Sequence, residues 1–189
     1  MKTIALRFKV FILCILLLTL SRTIHGQITT RSISEKESSQ YNIHKPANNS
    51  ISHKILPPFD LNAVLKEDSL EMNALLPFRF GKAIDVDIDI FDQGTRVNRS
   101  DTTLIYYQIS SIGAFSINLI FDKFYLNSNT SLKIYNAEQS VLYGPITEKE
   151  NPTNGIFWTD LIKGDNIIIE VSILGKTTKG NELHISKVI

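Results

Sequence analysis

The sequence predicts an all-β fold, an antiparallel β-sandwich of about eight strands over residues 79–189, preceded by a short helix and a disordered N-terminal linker. Three observations predict it. Several short segments alternate apolar and polar residues with a period of two, which sends one face to a core and the other to water. Turn-forming clusters of Gly, Asn, Asp and Pro recur roughly every ten residues. β-Branched and aromatic residues concentrate between those clusters, where a pleated surface accommodates them. A barrel is the alternative architecture for the same pattern.

Residues 1–26 read as an export signal peptide. Lys2, Arg7 and Lys9 make a positive start, and Val10–Leu20 is an apolar run interrupted only by Thr19. Its 11 residues suit a signal core and fall short of the roughly 20 a membrane span needs. Cleavage is expected after Gly26, with Ser21 as the other site. The single cysteine, Cys14, lies inside the run. The mature chain then has no disulfide and relies on its core. Secretion, to the extracellular or periplasmic side, follows as an expectation.

Residues 27–55 are polar, hold SSQ, NNS and Pro46, and read as a disordered linker. Residues 56–78 form an extended lead-in and a short helix. Pro57-Pro58 imposes extension, Asp60 caps, and Leu61, Val64, Leu65 and Met72 share a loose helical face that Leu70 leaves. Pro77 ends that region. From Ala83 to Ile90 apolar residues alternate with Asp, as in a half-buried strand.

Further strands are read at 103–109, 115–121 with a continuation to 126, 131–135, 141–143 ended by Gly144-Pro145, 156–158, 167–173 and 182–189. The apolar run Ile167-Ile168-Ile169 marks a central strand buried on both faces. The last strand reaches the last residue.

Charge and motifs exclude several functions. Removing Lys2, Arg7, Lys9 and Arg22 from the 20 basic residues leaves 16 against 19 acids, a net −3 with no basic stripe. Nucleic acid is therefore not an expected partner. A nucleophilic hydrolase needs a Ser or Cys beside a base, itself beside an acid. There is no GxSxG motif, and of four histidines His25 falls in the signal, His44 and His53 in the linker. His184 alternates to the face opposite Leu183 and Ile185, as a solvated strand histidine does.

No HExxH or CxxC motif offers zinc a site. Asp85, Asp87, Asp89 and Asp92 are the one acidic cluster, and hard oxygens crowded together are the ligand type for Ca²⁺. The spacing fails the EF-hand pattern, with Ile90 where Gly belongs and Arg96 where Glu belongs. Three alternating Asp instead mark a self-repelling strand edge. No cofactor is expected. Carbohydrate binding requires exposed aromatic platforms. Tyr106 and Tyr107 point to opposite faces, so one of them is a possible platform, and Trp158, beside an apolar run, is expected in the core.

A set of short segments carries a family resemblance. They are Leu56-Pro57-Pro58-Phe59-Asp60-Leu61, Glu67-Asp68, Phe78-Arg79-Phe80-Gly81, Gly113 to Leu119, Tyr143-Gly144-Pro145-Ile146-Thr147, Phe157-Trp158-Thr159, Lys163-Gly164-Asp165, Ile169-Glu170 and Leu183 to Ile189. In order and spacing they resemble the non-catalytic N-terminal region of bacterial lysyl-endopeptidase-like, trypsin-type secreted serine endopeptidase precursors. The resemblance spans about 56–189. It implies a prodomain whose partner is the cognate protease domain, in cis or in trans, and which templates folding, covers the cleft or targets the precursor. It implies structural roles for Trp158, Gly164, Asp165 and Glu170, and transfers no catalytic residue. It also implies a chain cut short before the protease domain. The alternative is a free-standing secreted module that binds a peptidase or a glycan. For a prodomain, the apolar residues around Ile156-Phe157 and the final strand are the expected contact surfaces.

Overall fold

The computed structural model describes residues 28–41, 51–58, 60–73 and 81–189. The predicted signal peptide and Pro77 lie outside the described residues. The chain is mostly β, in two facing sheets with a short third ladder. The larger sheet has the order β1-β9-β8-β12-β5-β2, with β4 also on β5. Its strands are β1 (Thr30–Ser32), β2 (Ser52–Ile55), β4 (Thr95–Asn98), β5 (Thr102–Ser110), β8 (Thr130–Asn136), β9 (Val141–Ile146) and β12 (Asn166–Leu174). The smaller sheet runs β10 (Phe157–Trp158), β7 (Leu119–Tyr125), β13 (Glu182–Val188), β3 (Ile84–Asp89). β6 (Ser116–Ile117) and β11 (Ile162–Lys163) pair with each other.

Alternation explains how the sheets meet. In β12, Ile167, Ile169, Val171 and Ile173 enter the main core with Ile105, Tyr107 and Ile109 of β5 and Leu132 and Ile134 of β8. The smaller sheet answers with Phe121, Phe124, Leu183, Ile185 and Ile88. Phe157 stacks on Phe124 at 4.2 Å between centroids. β12 lies between β5 and β8, the central two-sided strand the sequence predicts.

The outer face of the larger sheet carries a second cluster, Leu104, Tyr106, Tyr135, Leu142 and Ile168, covered by Ile33 and flanked by Tyr41 and Ile51. The cover comes from the segment read as a disordered linker. That reading is corrected for its described residues. β1 pairs with β9 and forms the edge of the sheet, helix α1 (Glu35–Gln40) follows, and β2 joins β5 in parallel at the other side of the sheet. Ser34 and Glu37 form a capping box that starts α1. Few but well-spaced apolar residues, Ile33 chief among them, suffice because the sheet supplies the partner surface.

Helix α2 (Leu61–Asn73) forms where expected. Asp60 accepts from the backbone N–H groups of Asn62 and Ala63, satisfying donors that the first helical turn leaves open. Val64 is buried, but Leu65, expected on the same face, is exposed.

Strand β3 stops one residue before the predicted end. Asp89 accepts from the N–H groups of Phe91 and Asp92 and so starts the short helix α3 (Ile90–Gln93). β9 continues past its predicted end. Gly144, at φ 106°, and Pro145 stay within the strand, joined by a cis peptide bond. A Cβ on Gly144 would approach the Leu132 carbonyl oxygen at 2.8 Å, so only glycine fits there.

Candidate binding surfaces

The sequence-predicted acids do not converge. β3 is an edge strand, and Asp85 and Asp87 are exposed on its outer face. Asp85 pairs with Lys187, Asp87 with His184, and Asp89 is taken up by the α3 cap. Asp92 sits beyond, in the first turn of α3. Among the described residues no group of three or more His, Cys, Asp or Glu is disposed to hold a metal ion.

His184 is more engaged than a solvated histidine. Its Nδ1 meets Asp122 Oδ1 at 2.5 Å and its Nε2 meets Asp87 Oδ1 at 2.7 Å, clamping β7, β13 and β3 together. The Asp122 hydrogen bond, then the Asp87 one, raises its pKa against the opposing pull of burial. Both ring nitrogens are spent on carboxylates, which leaves none to act as a base on a substrate.

His53, read as part of the linker, sits on β2 with Nε2 at 2.8 Å from Ser110 Oγ. The pair lacks a carboxylate on the other ring nitrogen among the described residues, and its visible effect is to tie β2 to β5. Parallel pairing with β5 creates this contact, and no spacing in the sequence announces it.

Glu170 is nearly fully buried at 2 % exposure, on the outer face of β12 beneath the N-terminal cover. Lys133 Nζ lies 3.2 Å from its Oε1 and also donates to the Tyr41 carbonyl at 2.8 Å. The Tyr135 hydroxyl donates to Oε2 at 3.2 Å. Burial first, and the Glu170 charge second, push the Tyr106 hydroxyl up to about 12 and raise that of Tyr135 as well. Neither Tyr106 nor Tyr107 is an exposed platform: one lies beneath the cover and the other in the inter-sheet core.

Two surfaces do present large apolar side chains. The first surrounds the loop after β5. Phe115 is 93 % exposed, and Ile112 and Leu161 stand out beside it. They border a cavity of ≈ 490 Å³ whose walls include Leu56, Val64, Ile84, Val188 and Ile189. The loop is held from beneath. Ser111 N–H donates to the Asp165 carbonyl, Gly113 N–H to the Asp165 carboxylate and Gly164 N–H to the Phe115 carbonyl. Gly164 does this at φ 117°, a conformation that favours glycine. Two of the motif residues, Gly164 and Asp165, are thus the support of an apolar display.

The second surface is the outer face of the smaller sheet. Trp158 is 66 % exposed there, which corrects its expected place in the core. Phe157 takes the inward position on β10, and alternation sends Trp158 out opposite Ile120. An apolar run on a two-residue edge strand has only one buried face, a fact that composition does not reveal.

Among the described residues no helix is long and apolar enough to cross a membrane. Compared with known protein-family models and with curated proteins, the chain matches none.

Proposed function

We propose that this chain is the non-catalytic N-terminal β-domain of a secreted, trypsin-type serine endopeptidase precursor, and that it works by binding the protease domain, in cis or in trans. The observation that carries the reading is Phe115. A phenylalanine 93 % exposed, flanked by Ile112 and Leu161 over an apolar-walled cavity, is a surface suited to a partner. Its loop belongs to the Gly113–Leu119 segment of the family resemblance, and the turn that supports it is the Gly164-Asp165 segment. Ile189 lies in the cavity wall, so a domain tethered after it would sit beside this patch. The role is mechanical and steric: a preformed apolar surface organises the folding protease or shields its cleft.

The test uses the purified chain and a lysine-specific trypsin-type endopeptidase. The chain is expected to slow peptide hydrolysis or to raise the refolding yield of the denatured protease. Phe115→Asp is expected to weaken that effect at least tenfold while leaving the circular dichroism spectrum unchanged. Absence of any effect on either native or refolding protease would sink the proposal.

A further inference from the structure

The outer face of the smaller sheet has an arrangement that the protease-binding reading does not use. Strand register lays its side chains out in rows. Trp158 on β10 stands opposite Ile120 on β7, which stands opposite Lys187 on β13. Lys187 in turn stands opposite Asp85 on β3. Beside this row run Asp122, His184 and Asp87, joined by the two histidine hydrogen bonds. Farther along β7, Tyr125 stands opposite Glu182 and is 49 % exposed. Trp158 and Tyr125 therefore mark two aromatic stations, separated along the bulged strand β7 by roughly 13–16 Å.

The clamp beside the stations, which runs from Asp122 on β7 across β13 to Asp87 on the far edge strand β3, has hydrogen-bonding capacity to spare. Asp87 and Asp122 each give one carboxylate oxygen to His184, and the second oxygen of each has no partner among the described residues. The clamp holds both carboxylates in a fixed orientation, which lowers the cost of ordering them on a ligand. Charges of both signs alternate, Asp85, Asp87, Asp122 and Glu182 against Lys123, Lys187 and, when it is protonated, His184. The face has no dominant field with which to select a charged ligand. A protein partner would strip water from these charges, and charged residues are depleted at the centres of such interfaces. A saccharide instead offers a C–H face to each aromatic ring and hydroxyl groups to the carboxylates, and leaves the charges wet.

We propose that this face binds an extended, uncharged, β-linked oligosaccharide, with sugar rings stacked on Trp158 and Tyr125 and hydroxyl groups donating to the free oxygens of Asp122 and Asp87. Trp158 is the sole tryptophan, so its fluorescence reports this site directly.

The experiment titrates the purified chain with cellohexaose, xylohexaose, laminarihexaose and chitohexaose, followed by tryptophan emission and by calorimetry. At least one is expected to shift the emission saturably at up to millimolar concentration. Tyr125→Ala is expected to weaken that response at least tenfold, and Asp122→Asn several-fold. Trp158→Ala should abolish binding in the calorimeter. Phe115→Asp should leave binding unchanged, which separates this site from the protease-binding patch. Silence of both signals with all four sugars would overturn the proposal, as would saturable binding indifferent to Tyr125→Ala. Emission that responds only to a trypsin-type protease would reassign the face to a protein partner. Should Trp158→Ala fail to fold, Tyr125→Ala and Asp122→Asn still decide the matter.

Discussion

A neutral imidazole carries one N–H, yet His184 meets a carboxylate oxygen at each ring nitrogen. Only the doubly protonated ring satisfies both, which accounts for its raised pKa. The folded value lies above the ordinary one of about 6.5, so the stabilisation is full below that pH and is lost as pH rises through the elevated value. The melting-temperature gap between the native chain and His184→Gln is therefore expected to be widest below about pH 6.5 and to shrink as pH rises through the elevated value. A gap that widens with pH would refute the clamp. Glu170 poses the opposite case, a buried carboxyl group held by Lys133 and Tyr135. Lys133→Ala would leave it without its cation and is expected to cost about 3 kcal/mol in urea unfolding. Replacing the pair by Lys133→Met and Glu170→Leu together should recover most of that loss. At this scale the sequence was partly legible. The outward Asp row could be read, because alternation is local. The partners of His184, His53 and Glu170 come from residues dozens of positions away, and Trp158 was misplaced because burial depends on which neighbours a strand has.

The elements followed local pattern closely. Strands β5, β8, β12 and β13 and helix α2 form where periodicity and capping put them, within a residue or two, whereas the strand read from 115 to 126 divides into β6 and a β7 that starts only at Leu119 and runs to Tyr125. The N-terminal segment did not. Its polar composition hides a strand, a capped helix and Ile33, whose burial depends on the outer face of the larger sheet. Removing residues 28–41 is expected to uncover Leu104, Tyr106, Tyr135, Leu142 and Ile168 together. The truncated chain should bind a hydrophobic dye such as ANS and melt at a lower temperature, with Ile33→Asp reproducing most of the effect. An unchanged melt and no dye binding would show the cover to be dispensable. The same loss should loosen the Glu170 cluster, since Lys133 donates to Tyr41 at the end of α1.

At the scale of the whole molecule, two sheets face each other, and the larger is also buried behind by the chain's own N-terminal segment. Among the described residues nothing covers the outer face of the smaller sheet, with Trp158 and Tyr125 upon it, and the Phe115 loop projects at one end of the fold. These two displays are separate surfaces and give separate tests. Alternation, turn residues and a central apolar run determined by themselves that the chain is all-β, where most strands lie and that β12 is central, because each of these follows from the preferences of adjacent residues. Only the tertiary structure decided which face of each strand is covered, that a polar leader closes the second core, and which aromatic and acidic side chains meet or stand free. Those outcomes depend on contacts between residues far apart in the chain, and a one-dimensional pattern records the face a side chain takes but not what lies against it.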